Sequence, residues 1–196
     1  MIRFVVIGHR AVTTGDFKLD DISGGAGRLD VLVRCVNSAF FLSHSIRTNV
    51  ELFLVLTGGS DAPKTVRFAG SELKYLNPDE RSTSSLIRNA LLKKVGSEEI
   101  RSSPGVYISR RSFSDMIEQL RGMPIIYLKE DGTDARDFAF PDNAVIVLGD
   151  DRDLTEEEEA AVMKCGPSKI SLGPLSLHAD HCIIVAHNEM DRQRGT

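Results

Sequence analysis

The sequence predicts an α/β fold, a mostly parallel sheet flanked by helices, and three observations predict it. Short apolar, β-branched runs recur from Arg3–Ile7 to Lys169–Leu172. Between most of them lie stretches whose apolar residues repeat at helical spacing. Several of the runs stop at glycine, where a strand hands over to a loop. No repeat, low-complexity tract or linker interrupts the alternation, so one domain over 1–196 is the economical reading.

Taken in order, Arg3–Ile7 reads as a strand ending at Gly8, and the glycine-rich stretch from Thr13 to Gly27 as loop. From Arg28 to about Ile46, residues Leu29, Leu32, Val33, Val36, Phe40 and Phe41 recur at helical spacing. Glu51–Leu56 is a second strand, stopped by Thr57-Gly58-Gly59. Thr65–Ala69 and Glu72–Leu76, joined by Gly70-Ser71, predict a hairpin with a two-residue loop. Ser82–Val95 opens with a Ser/Thr cluster suited to helix capping.

Gly105–Ser109 is the next strand, and Ser112-x-x-Asp115 a capping box for a helix ending near Gly122. Strand Pro124–Leu128 precedes a charged loop, Lys129–Asp142, and then strand Ala144–Leu148. Thr155-x-x-Glu158 caps another helix, whose four successive glutamates suit the positive end of its dipole. That acidic run is therefore read as structural. Strand Lys169–Leu172 and a helix from about His178 to Met190 complete the chain.

Bulk properties narrow the class. The composition is 41% hydrophobic and 27% charged. The three cysteines, Cys35, Cys165 and Cys182, are far apart and odd in number, which argues for a reducing compartment. The apolar runs are strand-sized, far short of a bilayer span, so a soluble, cytoplasmic protein is expected. Net charge is −4, but residues 1–111 hold 16 Lys and Arg against 11 Asp and Glu, and residues 112–196 hold 8 against 17. A basic front half suits a polyanion-facing surface, and uneven solvated surface explains it equally well.

No P-loop or G-x-S-x-G elbow is present, and Gly24-Gly25-Ala26-Gly27 does not follow a strand as a dinucleotide fingerprint must. The informative region is near the C-terminus. Val147-Leu148-Gly149-Asp150 and Ile170-Ser171-Leu172-Gly173-Pro174-Leu175-Ser176-Leu177 offer aliphatic side chains and close-approaching backbone at strand ends, where α/β sheets bind ligands. A flat heteroaromatic ring with a polar edge, such as adenine, fits that environment. His178, His181, Cys182 and His187 admit a metal site, but no second cysteine stands at zinc spacing, so no metal is expected. Asp150, Asp151 and Asp153 read as a solvated turn or as attraction for a cationic ligand. Arg10, Arg28, Arg34 and Arg47, with Lys18 and His44, form a candidate phosphate-contacting set.

Leu148-Gly149 paired with Ser171–Leu177 and a terminal helix resembles the SPOUT class of RNA methyltransferases. The motifs Gly8-His9-Arg10-Ala11, Ala26–Val36, Phe40–Arg47 and Asn77–Thr83 are similar to those of archaeal tRNA pseudouridine-54 N1-methyltransferases. Ribosomal pseudouridine N1-methyltransferases are the nearest relatives, and a non-catalytic RNA-binding protein is the other reading. The resemblance implies a C-terminal deep trefoil knot, S-adenosylmethionine as methyl donor, tRNA as substrate and a homodimer. It places the donor against Leu128, Gly149, Leu172, Gly173, Pro174, Leu175, Ser176, Leu177 and Cys182. Proton removal from the target nitrogen makes Asp150, His178 and Asp180 the catalytic candidates, with His181 beside them.

Overall fold

The chain is described by a computed structural model covering residues 1–195. The strands are β1 (Ile2–Val12), β2 (Val50–Gly58), β3 (Lys64–Ala69), β4 (Ile100–Ser103), β5 (Val106–Ser109), β6 (Ile125–Asp134), β7 (Ala144–Gly149) and β8 (Ser168–Ser171). They form one sheet in the order β4-β5-β3-β2-β1-β7-β6-β8. The five strands β2, β1, β7, β6 and β8 run parallel, while β3, β5 and β4 extend the sheet as an antiparallel wing. The helices are α1 (Leu29–Phe40), α2 (Glu80–Leu91), α3 (Phe113–Gln119), α4 (Glu156–Met163) and α5 (Ala179–Arg194).

β1 is the central strand. Ile2–Ile7 pairs with Val50–Val55 on one side and with Ala144–Gly149 on the other. Phe4, Val5, Val6 and Ile7 are wholly buried, as an unbroken apolar run requires when helices cover both sheet faces. Alternation then splits the core. Phe4, Val6, Leu52, Leu54 and Ile146 meet α1, α2 and α5, while Val5, Ile7, Phe53, Val55 and Val147 meet α3 and α4.

Helix α1 buries Leu29, Leu32, Val33, Val36 and Phe40 of the stripe read from the sequence, while Phe41 is its extended, half-buried C-cap. Its partner is α5, joined by two polar pins. His187 Nε2 donates to the Ala39 carbonyl at 3.1 Å, and the His187 ring meets Phe4 edge-on. Arg47 donates to Asp191 from both terminal guanidinium nitrogens, at 3.0 and 2.5 Å. α3 and α4 each begin with the predicted capping box, Ser112 with Asp115 and Thr155 with Glu158.

Several local expectations need correction. α1 stops at Phe40 instead of near Ile46, because the chain turns back so that Phe41 and Ile46 pair, and α2 stops at Leu91 instead of Val95. Glu72–Leu76 is not a strand; β3 pairs instead with β2 and β5, so its edges are satisfied without a hairpin partner. β1 continues past Gly8 to Val12, because β2 extends beside it as far as Gly58. β6 runs on to Asp134 through part of the expected charged loop, since Thr133 and Asp134 pair with β8. β4 was absent from the sequence reading; it is an exposed edge strand with no alternation to betray it. The α2 cap is Asp79, which accepts from Ser82 N, rather than a Ser or Thr side chain.

Burial pushes the His187 imidazole down to about 4, so the ring is neutral in the fold. Protonation therefore favours the unfolded chain. The stability held by neutral His187 is complete above pH 6.5 and is lost as pH falls toward 4, a term of about 3 kcal/mol. Thermal melts should fall steeply across that window, and His187→Gln, which keeps a donor for Ala39, should flatten the fall.

Candidate active site

β6, β7 and β8 end side by side, and the loop from Leu172 to His178 folds over their ends. Between them lies a cleft of about 360 Å³. This volume falls in the range that holds drug-sized ligands. Leu128, Leu148, Ile170, Leu172, Leu175 and Leu177 supply its apolar walls, and Glu130, Asp150, Asp151 and Asp153 outnumber Lys129 and Arg152 around its rim. Two glycines shape it. A Cβ on Gly149 would lie 2.0 Å from the Arg152 carbonyl oxygen, so only glycine lets the 150–153 loop fold back on the strand end. Gly173 sits at φ 144°, a conformation that side chains rarely adopt.

Eight of the nine residues expected to face a ligand line this cleft: Leu128, Gly149, Leu172, Gly173, Leu175, Ser176, Leu177 and Cys182. The ninth, Pro174, faces a separate shallow hollow beside Asp134, Ala135 and Arg136. Ser176 Oγ donates to Glu130 at 2.9 Å, tying the covering loop to the middle of β6, just past Leu128. Burial pushes the Cys182 thiol up to about 11, so it is a neutral, weakly polar wall rather than a nucleophile.

The catalytic candidates occupy three different environments. The Asp150 side chain is almost fully buried, and its oxygens accept from His9 N at 3.0 Å, His9 Nδ1 at 3.0 Å and Arg152 N at 3.2 Å. It is an anchor for the cleft wall. Burial resists its ionisation, but the His9 bonds prevail and hold the carboxyl below its usual range. His178 is the residue before α5; it lines the cleft, is exposed, and its ring meets His181 edge-on. Asp180 is turned toward Arg34, with Arg34 Nε at 3.8 Å. Among the described residues, Asp180 Oδ1 has no hydrogen-bond partner.

The four arginines divide. Arg10 pairs with Asp151, Arg28 with Asp151 and Asp30, and Arg34 with Asp30 and Asp180. These charges alternate as a ladder from the cleft wall to the first turn of α5. Arg47 stands apart in the Asp191 pin.

The sequence reading missed His9 as a site residue. Its ring lies between Asp150 and Glu158, whose Oε2 is 2.9 Å from Nε2. Glu158 thus serves both the α4 capping box and this clamp. A histidine just past a strand-end glycine, with acidic loops elsewhere in the chain, was the available signal.

A parallel α/β sheet with a ligand-sized cleft on glycine-broken strand ends is a cofactor-binding enzyme architecture. Among solved structures, Archaeoglobus fulgidus Nep1 bound to S-adenosylhomocysteine shares the fold. The TM-score is 0.68 over 100% of this chain and 98% of that one, at 12% identity. The profile of the SAM-dependent RNA methyltransferase family matches residues 1–195, and the chain belongs to that family. Similar curated relatives are tRNA (pseudouridine(54)-N(1))-methyltransferases. The Methanococcoides burtonii protein is 48% identical, covering 98% of this chain and 96% of its own length. The Haloferax volcanii protein is 51% identical, covering 97% and 96%.

The His9 imidazole is pushed up to about 9, chiefly by its bond to Asp150, against the pull of burial. A raised value means the clamp stabilises the fold fully below pH 6.5 and is lost as pH rises through about 9. His9→Gln should therefore melt below the wild type at pH 6, with the gap closing toward pH 10, as followed by circular dichroism.

Proposed function

We propose that the chain transfers the methyl group of S-adenosylmethionine to N1 of pseudouridine 54 in tRNA, acting in the cytoplasm as a homodimer. The observation that carries the donor site is the cleft on β6, β7 and β8. Its residues fit the donor: leucine and isoleucine walls suit the faces of adenine, backbone at Gly149 and Leu172 suits its edge, and the acidic rim suits a sulfonium. The near-full-length relatives carry the choice of tRNA over ribosomal RNA.

The donor supplies a methyl group activated by positive sulfur. The chain's own work is to hold it, to orient the base and to accept a proton. Leu128, Gly149 and the Leu172–Leu177 loop hold the donor, and Pro174 stiffens that loop from behind. The His9 clamp keeps Asp150 and its loop in place as one wall. Uridine carries its sugar on N1, so only the isomerised base offers that nitrogen. The base must leave its loop to enter the cleft. Alignment of N1 with the methyl carbon supplies much of the acceleration. Of the three candidate acceptors, His178 suits the proton on N1, because its exposed ring lines the cleft. Asp150 is taken up by His9 and Asp180 faces Arg34, so both act as positioning groups.

Arg10, Arg28 and Arg34 flank the route to the cleft, where phosphates would compete with their aspartates. Arg47 contributes through the seating of α5. We further read the C-terminal helix as threaded through the 129–142 excursion in the trefoil-knot manner. Gln193 and Arg194 hydrogen-bond that excursion at Phe138, Phe140 and Pro141, which supports this. Leu175 and Ile184 are 75% and 48% exposed beside the site, which supports a second copy covering them.

Nucleoside mass spectrometry of tRNA treated with the enzyme should show one added methyl on pseudouridine 54 and none on a transcript carrying uridine there. A methyl appearing elsewhere, or on ribosomal fragments alone, would overturn the assignment. Gly149→Val pushes the 150–153 loop off the strand end, so donor affinity measured by calorimetry should fall by about tenfold or more while the protein stays folded. His178→Ala should lower kcat by about 10- to 100-fold, with donor affinity within about twofold of wild type.

A further inference from the structure

The positive excess of the front half is confined to one part of it. Residues 1–63 hold six Lys and Arg against six Asp and Glu, whereas residues 64–111 hold ten against five. The excess belongs to the antiparallel wing and α2, not to the arginines around α1. Those arginines are already paired with aspartates. Lys93 and Lys94, just past α2, are exposed and have no acidic partner among the described residues, and the same is true of Lys18 and Arg152.

These four cations share the rim that carries the cleft. There Lys18 is flanked by exposed Asp16, Asp20 and Asp21 and Arg152 by Asp151 and Asp153, so Lys93 and Lys94 are its least offset charges. Strand pairing traces it: Gly149 lies beside Ile7, Gly8 beside Leu56, Leu56 beside Lys64, and Thr65 beside Ser109. The end of α2 is fastened to this rim at three points. Lys64 Nζ donates to the Leu91 carbonyl at 3.4 Å, Arg88 to Gly15 at 3.2 Å, and Arg110 N to Gly96 at 2.7 Å. Arg152 stands at the cleft, Lys18 in the loop after β1, and Lys93–Lys94 beyond β2 and β3. Four strand spacings separate β7 from β5, or about 20 Å. At about 3.4 Å per base step this spans roughly six base pairs of a duplex.

We propose that this rim, from Arg152 through Lys18 to Lys93 and Lys94, is a phosphate-binding track that holds the helical stem next to the target loop while the base occupies the cleft. The inference rests on the tRNA reading above and extends it to a second part of the same molecule. Free lysines suit the role: they are point charges on flexible stems, and they give up no internal ion pair on meeting a phosphate. They read no sequence; they fix the register of the stem.

The test is a K93A/K94A double variant, with Lys164→Ala as control. Lys164 is also exposed and unpaired among the described residues, but it follows α4 at the opposite end of the sheet. Binding of tRNA is measured by fluorescence anisotropy across a salt series, with donor affinity and methyl transfer measured in parallel. The double variant should bind tRNA about tenfold more weakly, with a salt slope lower by about 2. Donor affinity and melting temperature should match the wild type. The deficit should shrink on hairpins whose stem is cut to about two base pairs, because the track then has nothing to hold. Unchanged affinity and slope in the double variant, with wild-type transfer intact, would overturn the track alone. An equal loss in the control, or an equal deficit on the short hairpin, would do the same. Absence of transfer by the wild type would remove the functional reading, and the track with it.

Discussion

The structure depends on β1 being held in parallel between β2 and β7. A strand buried on both faces can satisfy its backbone only through its two neighbours, and its apolar run admits no other position than the centre. The chain leaves β1 toward β2 on one side and returns on the other with β7. Strand ends from distant parts of the sequence thereby meet at one rim. The residues that follow β1, Gly8-His9-Arg10, then reach the loop after β7, and the clamp of His9 on Asp150 and Glu158 is the direct result.

This arrangement explains why the cleft is built mainly from backbone and aliphatic groups. Many charged residues near it are engaged with one another, Asp150 with His9, Asp151 with Arg10 and Arg28, and Asp30 with Arg28 and Arg34, while Arg152 is left without an acidic partner among the described residues. The arginine pairs fix loop positions more than they add stability, since partly exposed ion pairs contribute little. His178 is left exposed at the cleft edge. The proposed transfer by alignment suits that division, with walls fixed by paired charges and an exposed imidazole at their edge.

Titration works at both ends of the fold. Neutral His187 secures α5 against α1 and fails in acid, whereas charged His9 secures the cleft wall and fails in base. The burial of one ring and the carboxylate neighbours of the other set these opposite signs. Both histidines bridge elements far apart in sequence, so neither role could be assigned from composition.

The sequence by itself determined the alternation of strands and helices, the two capping boxes, the buried stripe of α1 and the glycine-broken strand ends. Each is a local pattern, in which apolar period, cap chemistry or glycine speaks for the residues within a few positions of it. The resemblance to SPOUT methyltransferases rested on motifs that the chain spells out in full. Tertiary structure alone decided that β3 pairs with β2 and β5 instead of Glu72–Leu76, that edge strand β4 exists, and that Arg47 meets Asp191. It also decided that Pro174 lies outside the cleft and that His9 meets Asp150. These are contacts between residues far apart in the chain, or backbone pairings that a polar edge strand does not advertise. Which partner a charged side chain or an open strand edge takes depends on the strand order, and no local pattern in this chain encodes it.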